Sequence, residues 1–335
     1  LGWDQQTYMP HGAAEQRGQQ SGTLARIAHE IGTSAEMGKL LEALKPYGES
    51  LDPDSDDARL IKFALRDYEQ ATRVPAEFIV EQTQVIAMAN QAWAEARQKS
   101  DFAHFCPHLE KIMELTHRFV GFFPPADHPY DILLDNFEPG MKTADVKAIF
   151  EALRPQQVEL IHAIAEEQQV DDSFLHRPYD EQKQWDFGVE VITAFGYDWN
   201  RGRQDRSAHP FTGGPGLNDV RITTRVDPNF LNSMLFGTMH EAGHAMYDQG
   251  TGQNLARTNL LNGASLAVHE SQSRMWENLV GRSLPFWEHF YPRLQETFPQ
   301  LRELPLQRFY QGINKVQPSL IRVEADEATY HLHIM

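Results

Sequence analysis

Two histidines lie one helical turn apart in this chain, at His240 and His244, with Glu241 directly after the first. In a helix, this spacing places both imidazoles on one side, where they can bind the same metal ion. The neighbouring carboxylate can reach a metal-bound water and accept its proton. The pattern predicts zinc-dependent peptide hydrolysis, with His240 and His244 as ligands and Glu241 as general base. The alternative is a pair of surface or hydrogen-bonded histidines flanking an exposed glutamate.

A hydrolytic zinc site needs a third protein ligand and one open position. A further histidine in the HExxHxxGxxH spacing is excluded, because Tyr247 and Gly250 occupy the positions where that pattern has Gly and His. A carboxylate from a second helix remains. We predict that Glu270 is this ligand and keep Glu277 as the second choice. The alternative for Glu270 is a helix-surface residue that pairs with Arg274 at i+4.

The element that carries the two histidines is predicted to be a helix. Asp227 can cap it, Pro228 suits its first position, and Gly250 suits the residue just past its end. Asp248, one turn after His244, is predicted to orient an imidazole. The predicted helix has a mostly apolar stripe opposite the histidines, formed by Leu231, Met234, Leu235, Thr238, Ala242, Ala245 and Met246.

Glu270 is predicted to lie on a second helix, from Gly263 to Gly281. This helix contains the run His269-Glu270-Ser271. Four of its apolar residues are predicted to pack in the core: Leu266, Trp276, Leu279 and Val280.

The segment Asp219 to Arg225 is predicted to be a strand, because apolar and polar residues alternate along it. Asp219, Arg221 and Thr223 lie on its polar face, which could line a groove. An edge strand beside a zinc site can bind an extended peptide. The glycine-rich stretch 212–216 is predicted to be a tight connection to the extended run His209-Pro210-Phe211. The alternative for Asp219 and Arg221 is a salt bridge on a solvated face.

Composition excludes several classes of protein. The net charge of -17 argues against binding to nucleic acid, because a phosphate backbone would be repelled. The single cysteine, Cys106, rules out a disulfide within the chain. No apolar run approaches the roughly 20 residues needed to cross a bilayer. We therefore expect a cytoplasmic protein that does not act at a membrane.

Helical patterns dominate the chain. We predict one compact catalytic unit, with an N-terminal helical lobe over residues 1–200 and a zinc-binding region over residues 201–335. Residues 56–100 and 101–123 carry long helical patterns, with breaks at Val74-Pro75 and Cys106-Pro107. Aromatic residues are predicted to pack this lobe, among them Trp93, Phe102, Phe105, Phe119 and Phe122.

The chain resembles the carboxypeptidase Taq family of metallocarboxypeptidases, peptidase family M32, over nearly its whole length. Several separate motifs in the same order carry the resemblance. They are Trp3-Asp4-Gln5 with Thr7-Tyr8-Met9-Pro10, the run from Tyr130-Asp131 to Glu138-Pro139-Gly140, His209-Pro210-Phe211, Asp219-Val220-Arg221-Ile222-Thr223, the two-histidine motif, His269-Glu270-Ser271 and Ile321-Arg322-Val323-Glu324-Ala325-Asp326.

The resemblance implies a mainly α-helical, zincin-like metallopeptidase with a small antiparallel β-sheet at the edge of the active-site groove. It implies His240, His244 and Glu270 as ligands of zinc, for which cobalt or manganese could substitute. Glu241 would be the general base. Peptides with a free C-terminus would be the substrates, and the protein would be a homodimer.

Substrate binding is predicted for Arg322, His209 and the polar residues of the strand, which are Asp219, Arg221 and Thr223. Arg322 matches the arginine that the family is thought to use for the terminal carboxylate of the peptide, and a guanidinium group binds a carboxylate with two hydrogen bonds. The alternative is an ion pair with Asp326 on a helix that begins near Pro318.

Two further interpretations stay open. One is an oligopeptidase of the related HExxH clan, which cuts internal bonds and needs no free carboxylate. The other is a zinc-binding fragment with little catalytic activity, because the chain starts at Leu1 and stops at Met335 inside an apparently continuing helix, where family members run further.

Overall fold

Helices form most of the chain in the computed structural model, which describes residues 1–261, 263–320 and 325–335. The predicted mainly helical fold with a small sheet is confirmed. The chain divides into two compact units. The first comprises Leu1–Leu133 with Gly252–Asn262, and the second comprises Leu134–Thr251 with Gly263–Met335. The boundary predicted after residue 200 therefore lies inside the second unit.

The first unit is built from helices whose starts are visible in the sequence. Ser34, Ser55 and Asp101 each accept a hydrogen bond from a backbone N–H in the first turn of the helix that follows. Phe78 and Leu115 form the buried centre of its core. The helices, with the short one that ends this part of the chain, are α1 (Gly2–Thr7), α2 (Ala14–Gly32), α3 (Ala35–Ser50), α4 (Asp56–Ala71), α5 (Ala76–Lys99), α6 (Phe102–Val120) and α7 (Pro129–Leu134).

One of the two predicted helix breaks is confirmed. The chain leaves α4 after Ala71 and enters α5 at Ala76, around Val74-Pro75. The break at Cys106-Pro107 is wrong, because α6 runs through Pro107. The Asp101 carboxylate accepts the His104 N–H at 3.1 Å and starts the helix earlier, so the exposed Pro107 removes only one hydrogen bond from it.

The aromatic packing predicted for this unit is only partly correct. Phe119 and Phe122 pack against the buried Phe78. Phe102, by contrast, is 65% exposed, so its predicted place in the core is wrong. It occupies the first turn of α6, where the helix has not yet reached its partners.

The second unit has a core that joins residues before and after position 200. Phe187 and Val191 of α9 pack with Leu235 of α10 and Trp287 of α12 in one buried cluster. This contact is why α9 belongs with the histidine-bearing helix. None of the described helices in either unit is both long and apolar enough to cross a membrane. The helices of this unit are α8 (Thr143–Glu166), α9 (Glu181–Phe195), α10 (Leu231–Gln249), α11 (Leu266–Arg274), α12 (Leu284–Thr297) and α13 (Leu306–Ile313).

A three-stranded sheet lies beside α10. Its strands are β1 (Gln204–Arg206), β2 (Thr212–Gly216) and β3 (Asp219–Thr224), in the order β1-β3-β2. The β2–β3 pair is antiparallel as predicted, whereas β1 runs parallel to β3, so the three-stranded sheet is mixed. The segment predicted as an edge strand is the central strand, because both of its sides are paired. Among the described strands, β1 and β2 form the two edges of the sheet.

The glycine-rich stretch is itself strand β2 and not the predicted connection. Its glycines are what make the pairing possible, since a Cβ added at Gly214 would lie 1.7 Å from the carbonyl oxygen of Asp219. The register also shifts between Gly213 and Gly216. The glycines that are typical of turns here allow the backbones of β2 and β3 to approach closely.

Helix α10 starts later than predicted. Its first residue is Leu231, because the Asp227 carboxylate accepts the Asn229 N–H at 2.8 Å and forms a local turn instead of a helix cap. Gly250 ends the helix as predicted. The predicted apolar stripe is buried except for the partly buried Met246, and His240 and His244 lie on the opposite side.

Helix α11 ends sooner than predicted and continues as a π-helix over Met275–Val280. Since π-helical hydrogen bonds span five residues instead of four, the last turns rotate relative to an α-helical pattern. Glu277 is thereby buried, at 9% exposure, while Leu279 is 73% exposed. Leu266 at the other end is 53% exposed, so the core positions predicted for both leucines are wrong.

The described residues near the C-terminus differ from the predicted continuing helix. Asp326 accepts hydrogen bonds from the backbone N–H groups of Ala328 and Thr329, each at 2.9 Å. A short 3-10 helix follows over Tyr330–His333. The aspartate therefore closes a local turn, which competes with a helix at this point.

Helices α10 and α11 approach each other closely at Gly243. A Cβ added there would lie 2.6 Å from the Cα of Ser273 and 2.8 Å from the carbonyl oxygen of Gln272. Both of these atoms belong to the backbone, so no side-chain rotation could make room. The missing side chain of Gly243 thus sets the distance between the two histidines and the helix that carries Glu270.

We predict that Gly243→Ala destabilises the protein, because the two helices must separate to admit a methyl group. The expected loss is about 1–3 kcal/mol, the usual cost of overpacking a core. Gly237→Ala on the same helix is the matched control, since its nearest neighbour is 4.0 Å away. It should gain up to about 1 kcal/mol from helix propensity alone. Urea unfolding of both variants tests this, and equal stabilisation by the two would contradict it.

Candidate metal centre

Three potential ligands converge between α10 and α11. The Nε2 atoms of His240 and His244 lie 3.6 Å and 3.3 Å from Oε2 of Glu270. One donor atom from each residue lies within 4.8 Å of the other two. The histidines face α11 because α10 buries its opposite side, and Glu270 faces them because α11 crosses at Gly243.

The second nitrogen of His240 has a partner of its own. Its Nδ1 lies 2.9 Å from Oε2 of Glu277, and a carboxylate can only accept, so Nδ1 carries the proton. In the neutral ring, which is the form that binds a metal, the lone pair is then on Nε2, the nitrogen that faces Glu270. Such a partner fixes both the tautomer and the orientation of an imidazole that binds a metal.

Glu277, the second choice as a ligand, lies on the far side of the His240 ring. Arg274 donates to its Oε2 at 2.9 Å, and an Arg282 nitrogen is 3.7 Å from its Oε1. Burial opposes the charge of Glu277, but the hydrogen bond to His240 and the two arginines hold its pKa at about 2. The Glu277 carboxylate is therefore paired with Arg274 and Arg282. Glu270 is the carboxylate that faces both Nε2 atoms.

The second nitrogen of His244 is held by a chain of two residues. Its Nδ1 lies 2.6 Å from Nδ1 of His269, whose Nε2 lies 2.9 Å from Oδ1 of Asp248. Asp248 accepts the proton on Nε2 of His269. If both rings are neutral, Nδ1 of His269 then accepts the proton of His244, which leaves the lone pair of His244 on Nε2. Asp248 thus reaches this imidazole through His269, a residue that the sequence analysis placed beside Glu270 without assigning it a role.

This donor set fits a divalent cation. Two neutral imidazoles and one carboxylate are the protein ligands of many hydrolytic zinc sites, in which a fourth position stays open. The hydrogen bonds at Nδ1 orient both imidazoles so that Nε2 faces Glu270, the orientation that metal binding requires. The centre is also partly shielded from solvent, with 21% and 13% of the side chains of His240 and His244 exposed.

Glu241 lies next to the three ligands and is buried, at 6% exposure. Thr212, the first residue of β2, donates its hydroxyl to Oε2 of Glu241 at 2.7 Å. Burial raises the pKa of Glu241, against the opposing effects of His240 and of the Thr212 hydrogen bond. A carboxylate with a raised pKa is suited to accept and return a proton near neutral pH. The sequence analysis missed Thr212, although it directly follows the run His209-Pro210-Phe211.

These residues line a cavity of about 500 Å³. Its walls also contain aromatic side chains, among them Phe211 and Phe236, and the exposed Leu266. The cavity thus combines apolar surface with many polar and charged groups, which suits a small polar ligand. Among the described residues, four cationic side chains lie on the wall: Arg225, Arg274, Arg282 and Lys315.

The residues predicted to bind substrate are not all brought to this cavity. His209 lies on its wall. Asp219 and Arg221 lie outside the described lining of the cavity. They form a bidentate ion pair, in which two guanidinium nitrogens of Arg221 each donate to a carboxylate oxygen of Asp219 at 2.6 Å. Thr223 is fully buried, and its hydroxyl accepts the N–H of Phe211 at 2.9 Å, so it anchors the chain that enters β2. Arg322 lies outside the described residues.

Comparison with known proteins gives consistent matches. The family model of the carboxypeptidase Taq (M32) metallopeptidases matches residues 1–335. Thermostable carboxypeptidase 1 of Thermus thermophilus is 43% identical, over 99% of this chain and 67% of its own length. Carboxypeptidase 1 of Bacillus subtilis is 37% identical, over 99% of this chain and 66% of its own. The crystal structure of an M32 carboxypeptidase from Deinococcus radiodurans R1 is 42% identical, with a TM-score of 0.87 over 99% of this chain and 67% of that one. The chain thus spans about two thirds of the length of these relatives.

We predict that Glu277→Gln weakens metal binding about 10- to 100-fold, because it weakens the hydrogen bond that orients His240. It should also destabilise the protein by about 3–5 kcal/mol, since Arg274 and Arg282 lose a buried counter-charge. Competition with a chromophoric chelator measures the metal affinity of the folded protein. Glu296→Gln is the control, because Glu296 pairs with Arg293 at the surface and 69% of its side chain is exposed. Unchanged metal affinity in Glu277→Gln would contradict the prediction.

Proposed function

The chain belongs to the carboxypeptidase Taq (M32) metallopeptidase family, and from this premise we propose that it removes the C-terminal residue of peptides by zinc-dependent hydrolysis. The observation that carries the proposal is the convergence of His240, His244 and Glu270, with both imidazoles oriented through their second nitrogens. The named carboxypeptidases among the relatives support the choice of reaction.

We propose that these three residues hold the metal. When bound, zinc would activate a water molecule and polarise the carbonyl group of the scissile bond. Cobalt or manganese could bind the same ligands, since two imidazoles and a carboxylate accept several divalent ions. The Glu277–His240 and Asp248–His269–His244 hydrogen bonds would keep the ligands in place while a substrate enters and leaves.

Glu241 is proposed to move the proton. Its Oε2 is held by Thr212, and no hydrogen bond within the described part of the chain reaches its Oε1. Oε1 would take the proton from the attacking water and then deliver it to the nitrogen of the leaving amino acid. The carboxylate ends each cycle in the state in which it began, and no covalent intermediate with the protein forms.

The substrate backbone is proposed to pair with the free edge of β2. Thr223 N–H donates to the carbonyl oxygen of Phe211 at 2.9 Å, and Thr212 is opposite Ile222. Because bonded and non-bonded pairs alternate in an antiparallel ladder, the backbone N–H and C=O of Thr212 point away from β3. They lie at the cavity wall, where an extended peptide can bind as an added strand.

Recognition of the terminal carboxylate is proposed for Arg322 on the family resemblance alone. The predicted contributions of Asp219, Arg221 and Thr223 to substrate binding also stay predictions, as do the homodimer and the cytoplasmic location. For His209, the proposal is supported by its place on the cavity wall that also bears Glu241.

An oligopeptidase that cuts internal bonds is not favoured, because the named relatives are carboxypeptidases. A zinc-binding fragment without activity is the other alternative. We propose instead that this chain has the carboxypeptidase activity itself, and measured hydrolysis of peptides distinguishes these possibilities.

We predict that Glu241→Gln abolishes turnover but leaves the metal bound, because the amide cannot accept the proton while the ligands stay intact. The measurements are hydrolysis of a peptide and the metal content of the purified variant. Glu288→Gln, at an exposed glutamate of α12, serves as the control and should have normal activity. Normal cleavage by Glu241→Gln would refute the proposed mechanism.

We predict stepwise loss of C-terminal residues from a peptide with a free C-terminus and no cleavage of the same peptide with a C-terminal amide. Mass spectrometry after incubation with the zinc-loaded protein distinguishes the products. Internal cuts in both peptides would indicate the oligopeptidase. Cleavage of neither peptide would indicate the inactive fragment.

A further inference from the structure

Thr212 occupies an unusual position between the sheet and the catalytic glutamate. Its Oγ1 lies 2.7 Å from the carboxylate oxygen Oε2 of Glu241 and 2.9 Å from the backbone carbonyl oxygen of the same residue. It is also on the wall of the cavity that contains the three potential ligands. Its hydroxyl therefore touches the proposed general base without touching a potential ligand.

The sheet holds this hydroxyl firmly. Thr212 is paired opposite the fully buried Ile222, and the preceding residue, Phe211, is bound to Thr223 through both its N–H and its C=O. Thr223 is itself held, because Ser207 donates to its hydroxyl at 2.7 Å. Threonine also has a restricted χ1 angle. The position of Oγ1 is thus set by strand pairing and not by a flexible side chain.

The hydroxyl has one proton for two acceptors on the same residue. The bond to the carboxylate oxygen Oε2 is the shorter of the two, at 2.7 Å, and an ionised acceptor makes it the stronger one. The hydroxyl therefore holds Oε2 in place, and the backbone carbonyl of the same residue is its weaker acceptor.

We propose that Thr212 is a positioning residue for Glu241, whose hydroxyl fixes Oε2 so that Oε1 faces the attacking water. This proposal rests on the proposed function of Glu241 as general base. Thr212 would then have two separate roles. Its backbone would contact the substrate, and its side chain would act only through Glu241. Loss of the hydroxyl should therefore lower kcat and leave KM and metal affinity unchanged.

Three substitutions separate the hydroxyl from the volume of the side chain. Thr212→Val keeps the shape and removes the donor, Thr212→Ser keeps the donor and removes a methyl group, and Thr212→Ala removes both. Steady-state hydrolysis of a peptide with a free C-terminus gives kcat and KM, and chelator competition gives the metal affinity.

We expect kcat to fall about 10- to 100-fold in the Val and Ala variants, because a general base that is no longer held in place loses part of its contribution of about 10²- to 10⁴-fold. The Ser variant should lose less than about fivefold, since it retains the charge-assisted donor. All three should bind zinc like the unsubstituted protein. The order of activity would then follow the hydroxyl and not the volume.

Activity that follows volume, with Val close to Thr and above Ser, would overturn the proposal. Weaker zinc binding in the Val variant would overturn it as well, because the hydroxyl would then act on the metal centre and not on Glu241. A lack of turnover by the unsubstituted protein would refute the proposed function itself. Normal turnover by that protein with an unchanged kcat in the Val variant would refute only the part assigned to Thr212.

Discussion

The close approach of α10 and α11 at Gly243 is the constraint on which the rest of the site depends. With backbone atoms of Ser273 only 2.6 Å from where a Cβ would lie, the two helices touch without a side chain between them. The side chains that flank this contact are therefore brought together, which places Glu270 within 3.6 Å of both Nε2 atoms. A larger residue at position 243 would keep the sequence motif but separate its parts.

Hydrogen-bond direction then decides what these side chains can do. Each histidine is hydrogen-bonded through Nδ1 to a residue on or just beyond α11, so in the neutral rings the lone pairs lie on the nitrogens that face Glu270. Glu277 can serve as an acceptor at this depth because Arg274 and Arg282 balance its charge. The π-helical segment is needed for this arrangement, since it turns Glu277 inwards and Leu279 outwards. The π-helical backbone thus places Glu277 where it can orient His240.

Local patterns made much of this site predictable. The i,i+4 spacing of His240 and His244 and the apolar stripe opposite them are properties of a single helix, and the structure has both. The choice of Glu270 before Glu277 agrees with the observed geometry, although pattern alone could not exclude the second carboxylate. Features that depend on pairing between distant segments were missed or misread. The glycines of β2 have a turn-like composition, yet they serve the approach to Asp219, and Thr212 reaches Glu241 only once that strand is formed.

Anomalous diffraction from crystals of the zinc-loaded protein, recorded on both sides of the zinc absorption edge, tests the metal centre most directly. The account predicts one strong zinc peak between α10 and α11, about 2.0–2.2 Å from Nε2 of His240, Nε2 of His244 and a carboxylate oxygen of Glu270. A peak bound by Glu277 in place of Glu270, or zinc bound only elsewhere on the protein, would contradict it.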